Sequence, residues 1–281
     1  MTSPQLFIGV VSYSRTIFPV SQGGNGLGSQ LAQELNEQHG VLALLRVNTA
    51  DLSSSQVISD RATVQRALSA ELRAEARYSR YLSRPARAKH AIRMAARWTK
   101  RIQHVIQSPS PASITRLLNI EASHLDLMKR GLDSGAAYVL ILEDDAFCDH
   151  VGDLARGLVG FIHGADTPSF VNLSTSFSIT ELGVGHLLRG GDQSCSWQGS
   201  DNRSVFIGEK PITNTVCAIA YSRNFLVQLV AELDSLPEDP VLPIDWKLNV
   251  ALMNLFDSNR MTESKCWWIE PAPIKQMSML Q

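Results

Sequence analysis

An uninterrupted apolar run that ends in three consecutive acids constrains this chain most. Residues 137–142 read Ala-Tyr-Val-Leu-Ile-Leu, and Glu143, Asp144 and Asp145 follow directly. An apolar run of this length is typical of a strand that is buried on both faces of a sheet. In open α/β folds, ligands bind at the carboxyl ends of such strands. We therefore expect the three acids to lie at the ligand-binding edge of a sheet.

The three adjacent acids also indicate a metal site. Neighbouring carboxylates repel one another, and a bound cation relieves that repulsion. Their oxygen atoms favour a hard ion, Mn2+ or Mg2+, over zinc. Acidic residues also follow strands where the chain only turns into solvent. Both interpretations stay open, and the run of three acids favours the metal site.

The composition is that of an ordinary globular chain. With 281 residues, 44% hydrophobic and 19% charged, it can form one large domain or two small ones. The net charge of -1 gives no overall attraction to nucleic acid or membrane. The four cysteines form no Cys-x-x-Cys pair, which argues against a zinc knuckle or disulfide scaffold and favours a reducing cytoplasm. We expect neither a signal peptide nor a membrane span.

One segment departs from this balance of charge. Between Arg61 and His104 there are 12 Lys and Arg residues but only two acids, Glu71 and Glu75, so the local net charge is 12 minus 2, or +10. The segment is rich in good helix formers, and Pro85 is expected to divide it into two helices.

Arginines recur in this segment at helical spacing. Before the break they are expected to share one face: Arg66, Arg73, Arg80 and Arg87, with Arg77 and Arg84 between them. Such a stripe is most often a solvated surface. Because the segment has so few acids, we also consider an anionic partner, namely a phosphate-rich acceptor, an anionic membrane surface or an acidic patch of another subunit.

The N-terminal part predicts a βαβ unit, the start of a nucleotide-binding half. Residues 6–13 form the first predicted strand, residues 27–38 a helix and residues 41–47 the second strand. Polar residues follow each strand where a nucleoside lies in such folds, so we take them as candidate donor-binding residues. These residues are Ser12, Tyr13 and Arg15 after the first strand and Asn48 and Asp51 after the second.

Further elements follow the basic segment. A helix is expected over residues 112–130, and a histidine in its middle is more often structural than a ligand. The loop over residues 174–202 is long enough to be functional or mobile. Asp245 is placed to cap a helix running to about residue 256. We divide the chain into residues 1–60 (nucleotide-binding half), 61–107 (basic helical insertion) and 108–281 (remainder of the catalytic domain with the acceptor side).

Several short motifs, taken in order, resemble glycosyltransferase family 25. The resemblance covers roughly residues 114–276, and its most specific part is Glu143-Asp144-Asp145. The basic segment has no counterpart and looks like an insertion. The motifs are Ala122-Ser123-His124 on a helix, the strand from Val139 to Ala146, Ala220-Tyr221-Ser222-Arg223 before a helix, Pro243-Ile244-Asp245 at a helix start, and the terminal Pro273-Ile274-Lys275-Gln276.

The resemblance implies a GT-A fold and the transfer of a sugar. The fold would be α/β, with a mostly parallel central sheet flanked by helices and an Arg-rich helical insertion. The activity would be inverting transfer from a nucleotide-sugar donor, UDP-hexose first among them, to a hydroxyl of a cell-surface glycan or glycolipid acceptor, as in lipopolysaccharide biosynthesis. A divalent cation, Mn2+ or Mg2+, would assist. The residues themselves, not the resemblance, give the expected location: cysteine usage favours the cytoplasm, and contact of the basic helices with acidic lipid would place the protein at the inner face of the membrane. A homodimer that pairs through the long basic helices is an open alternative.

The resemblance also implies residue roles. Asp145 and Glu143 would bind the metal, and Asp144 would support metal and nucleotide. Asp245 would be the base that takes the acceptor proton. Ser123 and His124 would lie with the donor-binding residues. Because the chain has no His beyond His186, Gln276 or water would replace the C-terminal His that completes the metal shell in many GT-A enzymes.

Two other function classes remain open. The same acids could hold Mg2+ in a nucleotidyl or phosphoryl transferase, although the chain lacks the Gly-x-x-x-x-Gly-Lys-Ser/Thr motif. A non-catalytic protein could use the basic helices to bind anions. The absence of a recognised nucleic-acid module or aromatic platform argues against nucleic acid as the partner.

Overall fold

The computed structural model describes most of the chain. The described residues are 5–12, 26–49, 61–107, 111–164, 167–174, 179, 183–190, 197, 203–208, 216–237, 242–258 and 265–276.

Helices and strands alternate through the first half of the chain, as in α/β proteins. The helices are α1 (Leu27–Gln38), α2 (Arg61–Tyr78), α3 (Arg84–Gln107), α4 (Pro111–Asp133), α5 (Val151–His163), α6 (Arg223–Ser235) and α7 (Ile244–Asp257). The strands are β1 (Leu6–Ser12), β2 (Ala43–Thr49), β3 (Tyr138–Glu143), β4 (Ala146–Phe147), β5 (Phe170–Asn172), β6 (Leu188–Gly190), β7 (Ser204–Gly208), β8 (Ala218–Ser222), β9 (Cys266–Glu270) and β10 (Lys275–Gln276).

The described strands form one central sheet and one small pair. The central sheet has eight strands in the order β2-β1-β3-β8-β5-β9-β7-β6, and β10 pairs with β4. Within the sheet, β7 and β8 run opposite to the other six strands. The protein is therefore α/β with a mixed, largely parallel sheet, as its sequence predicts at the level of fold class.

The predicted βαβ unit is present. Helix α1 begins and ends at the predicted residues, whereas β2 lies two residues later than residues 41–47. Strand β1 pairs in parallel with β2 on one side and with β3 on the other. The order of strands thus reverses at β1 and β3, and such a reversal opens a crevice at the carboxyl edge of the sheet.

Helices cover both faces of the sheet. Leu6 and Ile8 of β1 point to the core shared with α1 and α5, whereas Phe7 and Val11 point to the core shared with α4, α6 and α7. Strand β3 alternates in the same way, and all six of its residues are buried. This two-sided burial explains why its sequence is continuously apolar.

The basic segment forms a pair of helices, α2 and α3, that packs on the rest of the protein. Tyr78 and Leu82 lie in a cluster with Met253 of α7 and Trp268 of β9. The break between the helices lies at residues 79–83, not at Pro85. Proline fits the first turn of a helix, where its missing N–H is not needed, so Pro85 lies at the beginning of α3 instead.

Not all arginines of the predicted stripe point only to solvent. Arg77 turns toward α7, where its guanidinium donates to Asn254 Oδ1 at 2.6 Å and to Asp257 Oδ2 at 2.5 Å. Arg87 donates to backbone carbonyls in the break between the helices, including that of Ser79 at 3.0 Å. These two arginines support the fold of the α2–α3 pair, called the basic hairpin below (residues 61–107).

Among the described residues, none of the helices has both the length and the apolar character that crossing a bilayer requires.

Candidate functional site

The three acids lie at the carboxyl edge of the sheet, beside the reversal of strand order. Glu143 is the last residue of β3, and Asp144 and Asp145 form the turn that leads to β4. The backbone is held on both sides: the Glu143 N–H donates to the Cys217 carbonyl at 2.8 Å, and the Asp144 N–H donates to the Val11 carbonyl at 3.0 Å. The acids are thus held by their two neighbours in the sheet at its carboxyl edge, where the sequence predicts them.

Two side chains approach the buried Glu143 carboxylate. Gln276 Nε2 donates to Glu143 Oε2 at 3.2 Å. His124 Nε2 lies 3.5 Å from Glu143 Oε1 and is 1% exposed. Gln276 reaches this position because β10 pairs antiparallel with β4, which places Gln276 opposite Ala146. Glu143 is therefore held between a core helix and the last described strand.

The other two acids occupy different surroundings. Asp144 is half-buried and accepts a hydrogen bond from the Ser12 hydroxyl at 3.1 Å, across the point where the strand order reverses. Asp145 is buried and lies with Glu143 and Cys217 in a group whose ligand atoms are all within 4.8 Å of one another. Three side chains from β3, its following turn and the residue before β8 thus converge on one point.

Cys217 was missed by sequence reasoning. It stands in the apolar stretch before β8, and nothing in that stretch sets it apart from a core residue. Because β8 runs opposite to β3, its beginning meets the end of β3. Burial raises the pKa of the Cys217 thiol, and the charges of Glu143 and Asp145 raise it further, while a hydrogen bond with Ser174 lowers it. The thiol is therefore protonated at neutral pH unless a cation offsets these charges.

The group of two carboxylates and a thiol fits a divalent cation. This set of donor atoms includes the sulfur of Cys217, whereas the sequence predicts oxygen atoms only. A sulfur ligand favours softer ions such as Zn2+, Fe2+ and Co2+. Mn2+ and Mg2+ would be held by the carboxylates alone, with the neutral thiol beside them.

Asp245 of α7 lies close enough to Glu143 and Cys217 to interact electrostatically with both. It does not cap the helix: Pro243 holds the cap position and Asp245 lies in the first turn, where the helix dipole favours an acid. Its carboxylate accepts a hydrogen bond from the Val216 backbone N–H. Burial raises the pKa of Asp245 to about 6, the charge of Glu143 adds to this, and His124 opposes it. A carboxyl with this pKa can accept a proton near neutral pH.

An ion pair fixes α7 against α4. Lys247 donates its ammonium group to Glu121, and both side chains are largely buried. Lys247 follows Asp245 by two residues and Glu121 precedes His124 by three, so this pair joins the two helices beside the site. Ser123 is buried beside His124 on α4.

Helix α2 of the basic segment also contributes an acid that sequence reasoning missed. Glu71 of α2 is buried, and its charge raises the pKa of Asp245. The signal was available in the sequence: Glu71 and Glu75 are the only acids of the basic segment, and with Ala70, Ala74 and Tyr78 they lie at the spacing of one helix face. All five of these residues are buried.

The remaining predicted donor-binding residues divide into two groups. Asn48 lies at the same edge of the sheet, opposite Val11, but its amide donates to Asp126 Oδ2 of α4 at 2.9 Å rather than to the acids. Tyr13, Arg15 and Asp51 lie outside the described residues.

Comparison with models of known protein families gives no match, and comparison with curated proteins gives no significant match. The function is therefore argued from the chemistry of the site.

Proposed function

We propose that this protein transfers a sugar from a nucleoside-diphosphate sugar to a hydroxyl acceptor with inversion, assisted by a divalent cation. One observation carries the proposal: Glu143, Asp144 and Asp145 lie where the strand order reverses, and a separate carboxyl of raised pKa, Asp245, interacts with Glu143 from α7. A reaction that needs both a cation for the leaving group and a base for the attacking hydroxyl matches this arrangement.

Glu143 and Asp145 are the proposed metal ligands. When bound, the ion would stabilise the charge that develops on the departing diphosphate. Gln276 and His124 orient the Glu143 carboxylate, and Ser12 orients Asp144, so the acids are held before any ligand arrives. Such preorganisation lowers the cost of binding.

Asp245 is the proposed base. With a pKa of about 6 it is mostly ionised at pH 7 and still basic enough to accept the proton of a hydroxyl as the new bond forms. The acceptor would be a cell-surface glycan or glycolipid, and a uridine diphosphate hexose is the first donor to try.

The donor class is tested by thermal unfolding of the protein with uridine, guanosine, cytidine and thymidine diphosphate sugars, each with and without Mn2+ or Mg2+. We expect one nucleotide class to raise the unfolding temperature in a cation-dependent manner. Released nucleoside diphosphate supports sugar transfer. Release of pyrophosphate would instead indicate a nucleotidyl transferase, and stabilisation by polyanions alone would indicate a non-catalytic anion-binding protein.

A matched pair of variants tests the metal ligand. Asp145→Asn is expected to abolish transfer and the cation-dependent stabilisation while leaving unfolding without cation nearly unchanged. Asp149→Asn removes the same charge four residues later, from an exposed carboxylate paired with Lys275, and should leave both properties intact. Transfer by Asp145→Asn at the wild-type rate would contradict the proposal.

Whether the Cys217 sulfur binds the ion distinguishes a soft ion from a hard one. With Co2+, a thiolate ligand gives an intense sulfur-to-metal absorption band in the near ultraviolet. That band, and its loss in Cys217→Ser, would indicate a softer ion with sulfur in its shell. Equal Mn2+-dependent activity in Cys217→Ser and wild type would indicate a hard ion held by the carboxylates.

A further inference from the structure

The exterior of the basic hairpin carries positive charge that its own acids do not offset. Glu71 and Glu75 are both buried, and Glu75 is occupied inside the hairpin, where Trp98 Nε1 donates to its Oε2 at 3.1 Å and His90 Nε2 lies 3.7 Å from its Oε1. The sequence offers no other acid between Arg61 and His104. The described outward surface of α3 is therefore purely basic among its charged residues.

Helix α3 has two different faces. Its inner face, spaced by four residues, consists of the half-buried Ala86, His90 and Met94 and the buried Trp98. Its outer face carries a row of exposed apolar residues, called the outer stripe. The outer stripe comprises Pro85, Ala88, Ile92, Ala95 and Ala96.

Ile92 is the centre of this outer stripe. Its side chain is 72% exposed, more than any other large hydrophobic side chain that the structure describes as exposed. Lys89 and Arg93 flank the stripe along one side, and Arg84 lies at its other edge by helical geometry. An apolar stripe bordered by Lys and Arg on a surface helix is the arrangement of helices that lie in the plane of a membrane interface.

We propose that the outer face of α3 docks on an anionic lipid surface, with Ile92 entering the headgroup region and the flanking basic residues contacting lipid phosphates. The charges match a membrane that carries acidic lipids. The exposed isoleucine separates this partner from a soluble polyanion, which would gain nothing from an apolar side chain at the centre of the contact. The docking surface goes beyond the proposed sugar transfer and would bring a membrane-bound acceptor to the protein.

The test is sedimentation of the full-length protein with lipid vesicles, which requires no catalysis and is thus independent of the proposed activity. Binding is expected to phosphatidylcholine vesicles that contain phosphatidylglycerol, and not to phosphatidylcholine alone. Because each basic residue near the surface strengthens binding about fivefold, Lys89→Gln with Arg93→Gln should weaken binding more than tenfold. Ile92→Asp should weaken it as well. High salt should release the wild type.

Matched controls lie on other helices. Lys129→Gln with Arg130→Gln removes two exposed charges from α4, and Val227→Asp changes a 50% exposed apolar residue of α6. Both should bind vesicles like the wild type. Unchanged helix content and unfolding temperature show that each variant is folded.

Three results would overturn the proposal. The first is no binding to acidic vesicles at low salt. The second is equal weakening by the α4 control pair. The third is a dimer in solution, measured by light scattering, that Ile92→Asp converts to a monomer, because a second copy would then cover the stripe.

Discussion

Gln276 donates a hydrogen bond from Nε2 to Oε2 of Glu143, 3.2 Å away and 133 positions earlier in the chain. The bond joins the last described strand to the end of the central one. It also supplies a donor to a buried carboxylate that lies beside two other acids. Gln276 thus orients the Glu143 carboxylate.

Replacing Gln276 by Leu is expected to lower the free energy of unfolding by about 1–3 kcal/mol, because the buried Glu143 loses a hydrogen-bond donor. It should also weaken the binding of a divalent cation. The neighbouring change Lys275→Gln removes an exposed ion pair with Asp149 and should cost less than about 1 kcal/mol. Urea unfolding measures both variants, and equal losses would show that Gln276 has no special role.

Because the pKa of Asp245 is raised in the folded protein, the free energy of unfolding is expected to depend on pH. Its pKa rises from 3.8 unfolded to about 6 folded, so the folded state binds more protons between these values and stability falls as pH rises through that window. Asp245→Asn keeps an acceptor for the Val216 N–H and has no charge. Its stability relative to wild type should therefore improve by about 2–3 kcal/mol between pH 4 and pH 7 in metal-free buffer. A difference that does not change with pH would contradict this assignment.

The buried pair Glu121 and Lys247 predicts a non-additive effect. Lys247→Met leaves the Glu121 carboxylate buried without its cation and should destabilise the protein by about 3–5 kcal/mol. Adding Glu121→Gln should restore much of that loss, because the second change removes the uncompensated charge. A double-mutant cycle by urea unfolding measures the coupling. Simple addition of the two single losses would show that the pair is not coupled.

Gly157 of α5 is expected to tolerate no side chain. A Cβ built there would overlap the indole of Trp197, which is 5% exposed. Gly157→Ala should therefore lower stability by about 1–3 kcal/mol, although alanine favours helix. In the same helix, the nearest atom to a Cβ at Gly152 is Glu34 Oε1 at 3.4 Å, so Gly152→Ala should be neutral or stabilising. Thermal unfolding of both variants separates the two sites.

Some of the site could be predicted from the sequence. The run from Tyr138 to Leu142 predicts a strand buried on both faces, and the rule for parallel strands then places Glu143 to Asp145 at the ligand-binding edge. Only the resemblance to a family pointed to Gln276 as a site residue. In the structure Gln276 donates a hydrogen bond to Glu143, and its role as a metal ligand stays a prediction.

Other features had no signal along the chain. Cys217 lies next to Glu143 because β8 runs antiparallel to β3. The short apolar sequence of β8 does not indicate whether the strand is parallel or antiparallel to its neighbours. The pKa of Asp245 depends on burial and on charges from α4, β3 and α2, which lie far away in sequence.

The sequence by itself determined the buried central strand, the βαβ start, the acids at the end of that strand and the basic charge of residues 61–104, because each follows from periodicity or composition within one segment. Only the tertiary structure decided that a thiol joins the acids and that Ile92 turns outward. The physical reason is range: backbone geometry acts over a few residues, whereas strand direction and helix packing join residues that are tens of positions apart.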